Sequence, residues 1–119
     1  MPESMHETIA ANTAKLKAHF GLSQKDIAKR AGLSQRTISN ALNPGSVDSI
    51  TAGTIEKLAD CFGIEGYQLL IPSLPIEELL GKRIQKVIEC YAQADAEGRE
   101  NIARISENEM RYRVTKKYG

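Results

Sequence analysis

The sequence lacks much that would mark a membrane protein, a secreted protein or an enzyme. No apolar run reaches the roughly 18 residues that a membrane-spanning helix needs. The first residues, with Glu3, His6 and Glu7, contain no apolar signal core, so export is not expected. Only two cysteines occur, Cys61 and Cys90. They lie far apart, each in a helix-like apolar pattern, which predicts two reduced thiols in or near the core and a cytoplasmic setting. His6 and His19 have no Cys or carboxylate partner at ligand spacing, so neither a metal site nor a cofactor is expected. There is no phosphate-cradling glycine loop and no nucleophile elbow, and an enzyme is not expected. β-branched alternation is also missing throughout, and this leaves an all-α fold.

What is present fits a chain of 119 residues, long enough to bury a core without staples. The net charge of +1 says nothing about partners, but its distribution is uneven. From Lys15 to Arg36 there are six basic residues (Lys15, Lys17, Lys25, Lys29, Arg30 and Arg36) against the single acid Asp26, six minus one or +5. By itself such a run is a solvated helix face. It acquires meaning only if the same segment has a shape that suits a polyanion.

Five short helices are legible up to Leu70. Ser4 and Glu7 have capping-box spacing, and Ile9, Thr13, Leu16 and Phe20 share one face before Gly21 ends the first helix. Ser23 with Asp26 opens the second, which carries Ile27, Ala28 and Ala31 inward and stops at Gly32. Ser34 caps the third, which runs to about Asn43 and is terminated by Pro44-Gly45. Thr51 caps a fourth with Ile55, Leu58, Ala59 and Phe62, closed by Gly63. Ile64 begins a short fifth with Tyr67, Leu69 and Leu70. Pro72 to Pro75 reads as a linker, since prolines at both ends forbid a continuous helix.

Gln24 to Asn43 is then two short helices around a turn at Gly32, where positive φ costs glycine nothing. Ala28, one helical turn earlier, lets the helices cross closely, and Ile27, Ala31, Leu33 and Ile38 fill the junction. Gln35, Arg36, Ser39, Asn40 and Asn43 point away, on a helix narrow enough for the DNA major groove. The residue types suit that groove. Gln and Asn can pair bidentately with adenine and Arg with guanine. Gln35 and Arg36 lie in the first turn of the third helix, and Asn40 about one turn further on the same face. Ser39, being shorter, suits a minor or water-mediated role. Gln24 stands where a helix N-terminus can hold a phosphate.

The stretch GLSQKDIAKRAGLSQRTISNALNPG resembles the helix-turn-helix of the Cro and lambda-repressor superfamily, the XRE family. Gln24, Ile27, Ala28, Gly32, Leu33, Ser34, Gln35 and Ile38 stand at its motif positions. TIEKLADCFGIEGYQLL is similar to the fourth and fifth helices of that family, and the likeness spans about Thr8 to Leu70. The resemblance implies double-stranded DNA as partner, with Gln35, Arg36, Ser39 and Asn40 reading bases. It implies backbone contacts from Gln24, Lys25, Ser34, Thr37, Asn43, Gly45 and Ser46. It also implies a transcriptional regulator, a repressor of phage or prophage type binding a palindromic operator as a dimer. Two other readings stay open: an antitoxin that represses its own operon, and a protein-interaction module with a degenerate helix-turn-helix. The chain departs from the family at Ala41, where a larger aliphatic residue is usual and Leu42 is expected to compensate. The loop after the third helix has no Lys or Arg before Lys57, so Gly45, Ser46 and Ser49 would have to serve there. Modest non-specific affinity and a shallow salt slope follow.

Beyond the linker, a helix is expected over Ile76–Ala94. Leu80, Ile84, Val87, Tyr91 and Ala94 recur at heptad spacing for about two heptads. Asp95 can cap a further helix with Ile102, Ile105 and Tyr112, giving an αα-hairpin over 76–119. Its stripes are thin, and Leu80, Ile84, Val87 and Tyr91 are the candidate dimerisation residues. The segment offers no sensor pocket, so an effector would be a protein or a small surface ligand.

Overall fold

A computed structural model describes residues 4–46 and 48–118, with side chains placed as far as Met110. The described residues form helices and no strand. Two compact units result, Met1–Gly81 and Lys82–Gly119.

The first unit opens with α1 (Met5–Phe20), begun by Ser4, whose hydroxyl accepts the Glu7 N–H at 3.1 Å. It continues through α2 (Gln24–Ala31), α3 (Gln35–Leu42) and α4 (Ala52–Phe62). Each start is fixed locally by a hydroxyl that satisfies an otherwise orphaned N–H: Ser23 for Asp26, Ser34 for Thr37 and Thr51 for Thr54. At Ser23 the device is reciprocal, since the Asp26 carboxylate accepts the Ser23 N–H at 3.0 Å. That hydrogen bond, with the Ser23 hydroxyl second, holds the Asp26 carboxyl below the usual carboxylate range. Leu16, Ile27, Ile38, Leu58, Leu69 and Leu79, one or more from every helix of the unit, are fully buried. Non-directional burial of their apolar surface drives the packing.

The fifth helical segment is a 3-10 turn, Gly66–Leu70, rather than an α-helix. Its position is set by two buried amides. The Asn12 Nδ2 in α1 donates to the carbonyls of Leu69 (2.9 Å) and Ile71 (3.0 Å). Gln68 Nε2 donates to the Leu79 carbonyl at 2.9 Å, while its Oε1 accepts the Glu65 N–H at 2.7 Å.

The expected linker and long helix both require correction. Residues 72–75 are not a free linker: Leu74 packs on the core, and its carbonyl accepts from Lys15 Nζ at 3.0 Å. Nor is 76–94 one helix. It is divided into α5 (Ile76–Leu80) and α6 (Arg83–Gln93) at Gly81, where a Cβ would stand 3.0 Å from the Glu77 carbonyl oxygen. Helix α5 belongs to the first unit, with Leu79 fully buried and Ile76 and Leu80 against the same core. Leu80 is therefore removed from the proposed heptad stripe, because core packing claims it.

The second unit is α6 followed by α7 (Ala96–Tyr118), joined at Asp95, whose Oδ1 accepts the Gly98 N–H at 2.8 Å. Arg99 closes the connection by donating to the carbonyls of Tyr91 (3.0 Å) and Ala92 (2.7 Å) and lying over the Tyr91 ring. α6 contains no buried residue, and Val87, Ile88, Tyr91, Ile105 and Met110 are exposed. Tyr112 lies outside the described side chains. Cys61 is half-buried, and burial pushes its thiol pKa up, whereas Cys90 is exposed rather than near a core. No helix among the described residues is long and apolar enough to cross a membrane.

Candidate nucleic-acid interface

The expected turn forms as its residues dictate. Gly32 has φ +70°, in the left-handed region that side chains with a Cβ avoid, and the Leu33 N–H donates to the Ala28 carbonyl at 2.9 Å. Ile27 and Ala28 from α2 and Ile38 and Ala41 from α3 are buried at the crossing. Ala41 is wholly buried and Leu42 packs partly against the same cluster, so the small side chain leaves α3 anchored on both.

With Ile38 and Ala41 inward, α3 presents Gln35, Arg36 and Ser39 to solvent. Arg36 has 84% of its side chain exposed. Gln24 and Lys25 are exposed at the start of α2, before the first intrahelical N–H bond. Ser34 and Thr37 share a bond of 2.8 Å between their hydroxyls, while Ser34 also caps α3. Their hydroxyls are thus engaged in ordering the helix start. Lys15, the first cation of the basic run, faces the Leu74 segment instead of α3.

Asn40 is placed differently from its neighbours. It is half-buried and held at both ends of its amide: Nδ2 donates to Asp48 Oδ2 at 2.9 Å, and Oδ1 accepts from Ser46 Oγ at 3.2 Å. Its main-chain carbonyl accepts from His6 Nε2 at 2.7 Å. The loop is equally committed. Asn43 Oδ1 takes the Gly45 N–H at 3.0 Å, and Ser46 Oγ takes the Asp48 N–H at 3.2 Å. Gly45 and Ser46, expected to offer their groups to phosphate, thus use them within the loop in this structure.

Two participants were not identified from the sequence. Asp48 reaches Arg36 (3.8 Å from its Nη2) as well as Asn40. His6 ties α1 to the last turn of α3. Neither follows from spacing, because both contacts depend on how the loop and α1 pack across α3.

The comparisons with known proteins agree with this geometry. A family model described as Helix-turn-helix matches residues 14–69. Residues 14–69 are a helix-turn-helix domain of the XRE family. The matched span, 56 of the 119 residues, contains the whole crossing and all of α3. Among solved structures, the crystal structure of a hypothetical transcription factor, NHTF, from Neisseria is similar. It is 28% identical with a TM-score of 0.54, over 66% of this chain and 88% of that one. No curated protein matches the chain.

Proposed function

We propose that this protein is a sequence-specific regulator of transcription that reads double-stranded DNA with α3. In this reading Gln35 and Arg36 contact base edges from the first turn of α3, with Ser39 and Asn40 behind them. Gln24, Lys25, Ser34, Thr37, Asn43, Gly45 and Ser46 lie along the phosphates. The observation that carries the reading is the division of α3 into a buried side, Ile38 and Ala41, and a solvent side, Gln35, Arg36 and Ser39. A helix held that firmly presents its polar side chains from a backbone that needs no further ordering.

One such unit reads only a few base pairs, so the full function calls for two copies about one DNA turn (~34 Å) apart. The side of α6 that carries exposed Val87 and Tyr91 and half-buried Ile84, with exposed Ile105 on α7, is our candidate homodimer surface. Bound over a palindromic operator, such a dimer would repress by excluding polymerase, as a phage or prophage repressor does.

Selection of duplexes from a random-sequence pool tests the reading. Enrichment of a two-fold symmetric site with half-sites about 10 bp apart is expected. Replacing Arg36 with Ala should cost about 1–3 kcal/mol on the enriched site and relax preference at one position. An equal loss on every sequence would make Arg36 a phosphate contact, and absence of any enrichment would contradict base reading altogether.

A further inference from the structure

Arg36 and Asn40 are four residues apart on α3, and both are drawn to one atom, Oδ2 of Asp48. The Asn40 amide has two N–H donors and two acceptor lone pairs. Asp48 takes one donor and Ser46 one lone pair, so the loop and a base edge compete for, or must share, the same group. Asp48 also brings a negative charge to a surface that would face phosphates. Between Asn43 and Ile50 no Lys or Arg offsets it.

We propose that Asp48 is a specificity-determining residue, which holds Arg36 and Asn40 by its carboxylate and penalises DNA that does not offer donors in exchange. The inference rests on α3 being the reading helix. On arbitrary DNA, Arg36 leaves Asp48 for a phosphate, and the carboxylate then stands unpaired in a negative field. On a matched site, the bidentate partners of Arg36 and Asn40 replace what the loop gave up. The ion pair is exposed, with Asp48 47% accessible, so it opens at low cost where that replacement is complete. Discrimination thus comes partly from a repulsive element rather than from attraction alone.

The test is Asp48→Asn, whose side-chain oxygen still accepts from Asn40 Nδ2 and whose fold is checked by far-UV circular dichroism. Dissociation constants are read by fluorescence anisotropy on a random-sequence duplex and on the duplex the wild type enriches. The account expects binding to the random duplex to tighten roughly threefold or more, with a log–log salt slope steeper by up to about 0.9. It expects a smaller gain on the enriched duplex, so the ratio between the two falls. Unchanged binding to both would overturn it. So would a loss confined to the enriched duplex, which would make Asp48 a direct base contact. Arg36→Ala is measured alongside: if that variant binds the enriched duplex as tightly as wild type, the reading of α3 fails, separately from the role of Asp48.

Discussion

The Nε2 of His6 lies 2.7 Å from the main-chain oxygen of Asn40, joining the start of α1 to the last turn of α3. A carbonyl can only accept, so Nε2 carries the proton and donates. The same carbonyl accepts the Asn43 N–H at 3.2 Å, so His6 fills its second lone pair. Replacing His6 with Ala is expected to cost about 1 kcal/mol, lowering the melting temperature by several degrees. Gln at the same position, which keeps a donor, should recover part of the loss. Thermal unfolding of both variants checks this, and an unchanged midpoint for Ala would show the bond to be without weight.

Asn12 is buried, and its single amide nitrogen serves two carbonyls, those of Leu69 and Ile71. Asn12→Leu removes that donor and leaves both acceptors facing an alkyl group. A loss of about 1–3 kcal/mol per abandoned buried group is expected by denaturant unfolding. An equally stable variant would mean that water enters and replaces the amide.

Leu79 and Leu80 are adjacent but unequal, since Leu79 is fully buried and Leu80 only partly so. Leu79→Ala should cost about 2–5 kcal/mol and Leu80→Ala distinctly less. For the same reason, a chain ending after Ile71 loses a core residue, whereas one ending after Gly81 keeps it. The latter is the proper subject for analytical ultracentrifugation. It should be monomeric if α6 and α7 make the dimer, and a dimer as tight as that of the full chain would refute their role.

Asp26 has a lowered pKa because the Ser23 N–H and hydroxyl both bind its carboxylate. A carboxyl depressed in the folded state contributes stability that is fully present above its unfolded value, about 3.9. That contribution is lost as the pH falls through the lower folded value. Asp26→Asn should therefore lose less stability than wild type as the pH falls below about 4. Parallel acid-unfolding curves would contradict it.

The features legible in the sequence are those decided within a few residues. Ser23, Gly32, Ser34, Thr51 and Gly63 each mark a helix end through a bond spanning three to five residues, and each stands where its chemistry predicts. The solvent side of α3 follows in the same way from the spacing of Ile38 and Ala41. What escaped was decided by contacts distant in sequence. Heptad spacing favoured Leu80 for the α6 stripe, yet Leu80 packs on the core beside Leu79, whose carbonyl Gln68 binds from eleven residues away. The expected short fifth helix is a 3-10 turn, and its Leu69 carbonyl is bound by Asn12 from 57 residues earlier. Asp48, one acid in a polar loop, gave no local sign that it would settle on Asn40 and Arg36.

The most direct test of the account is fluorescence anisotropy on DNA from upstream of the gene, against a scrambled duplex, at two salt concentrations. Binding roughly a thousandfold tighter to the upstream DNA is expected near physiological salt. The salt slope should be shallow, since the loop after α3 supplies no cation. Equal, weak binding to both would remove autoregulation and leave other operators to be found. Binding to neither, at either salt concentration, would contradict the reading of α3 as a DNA-recognition helix.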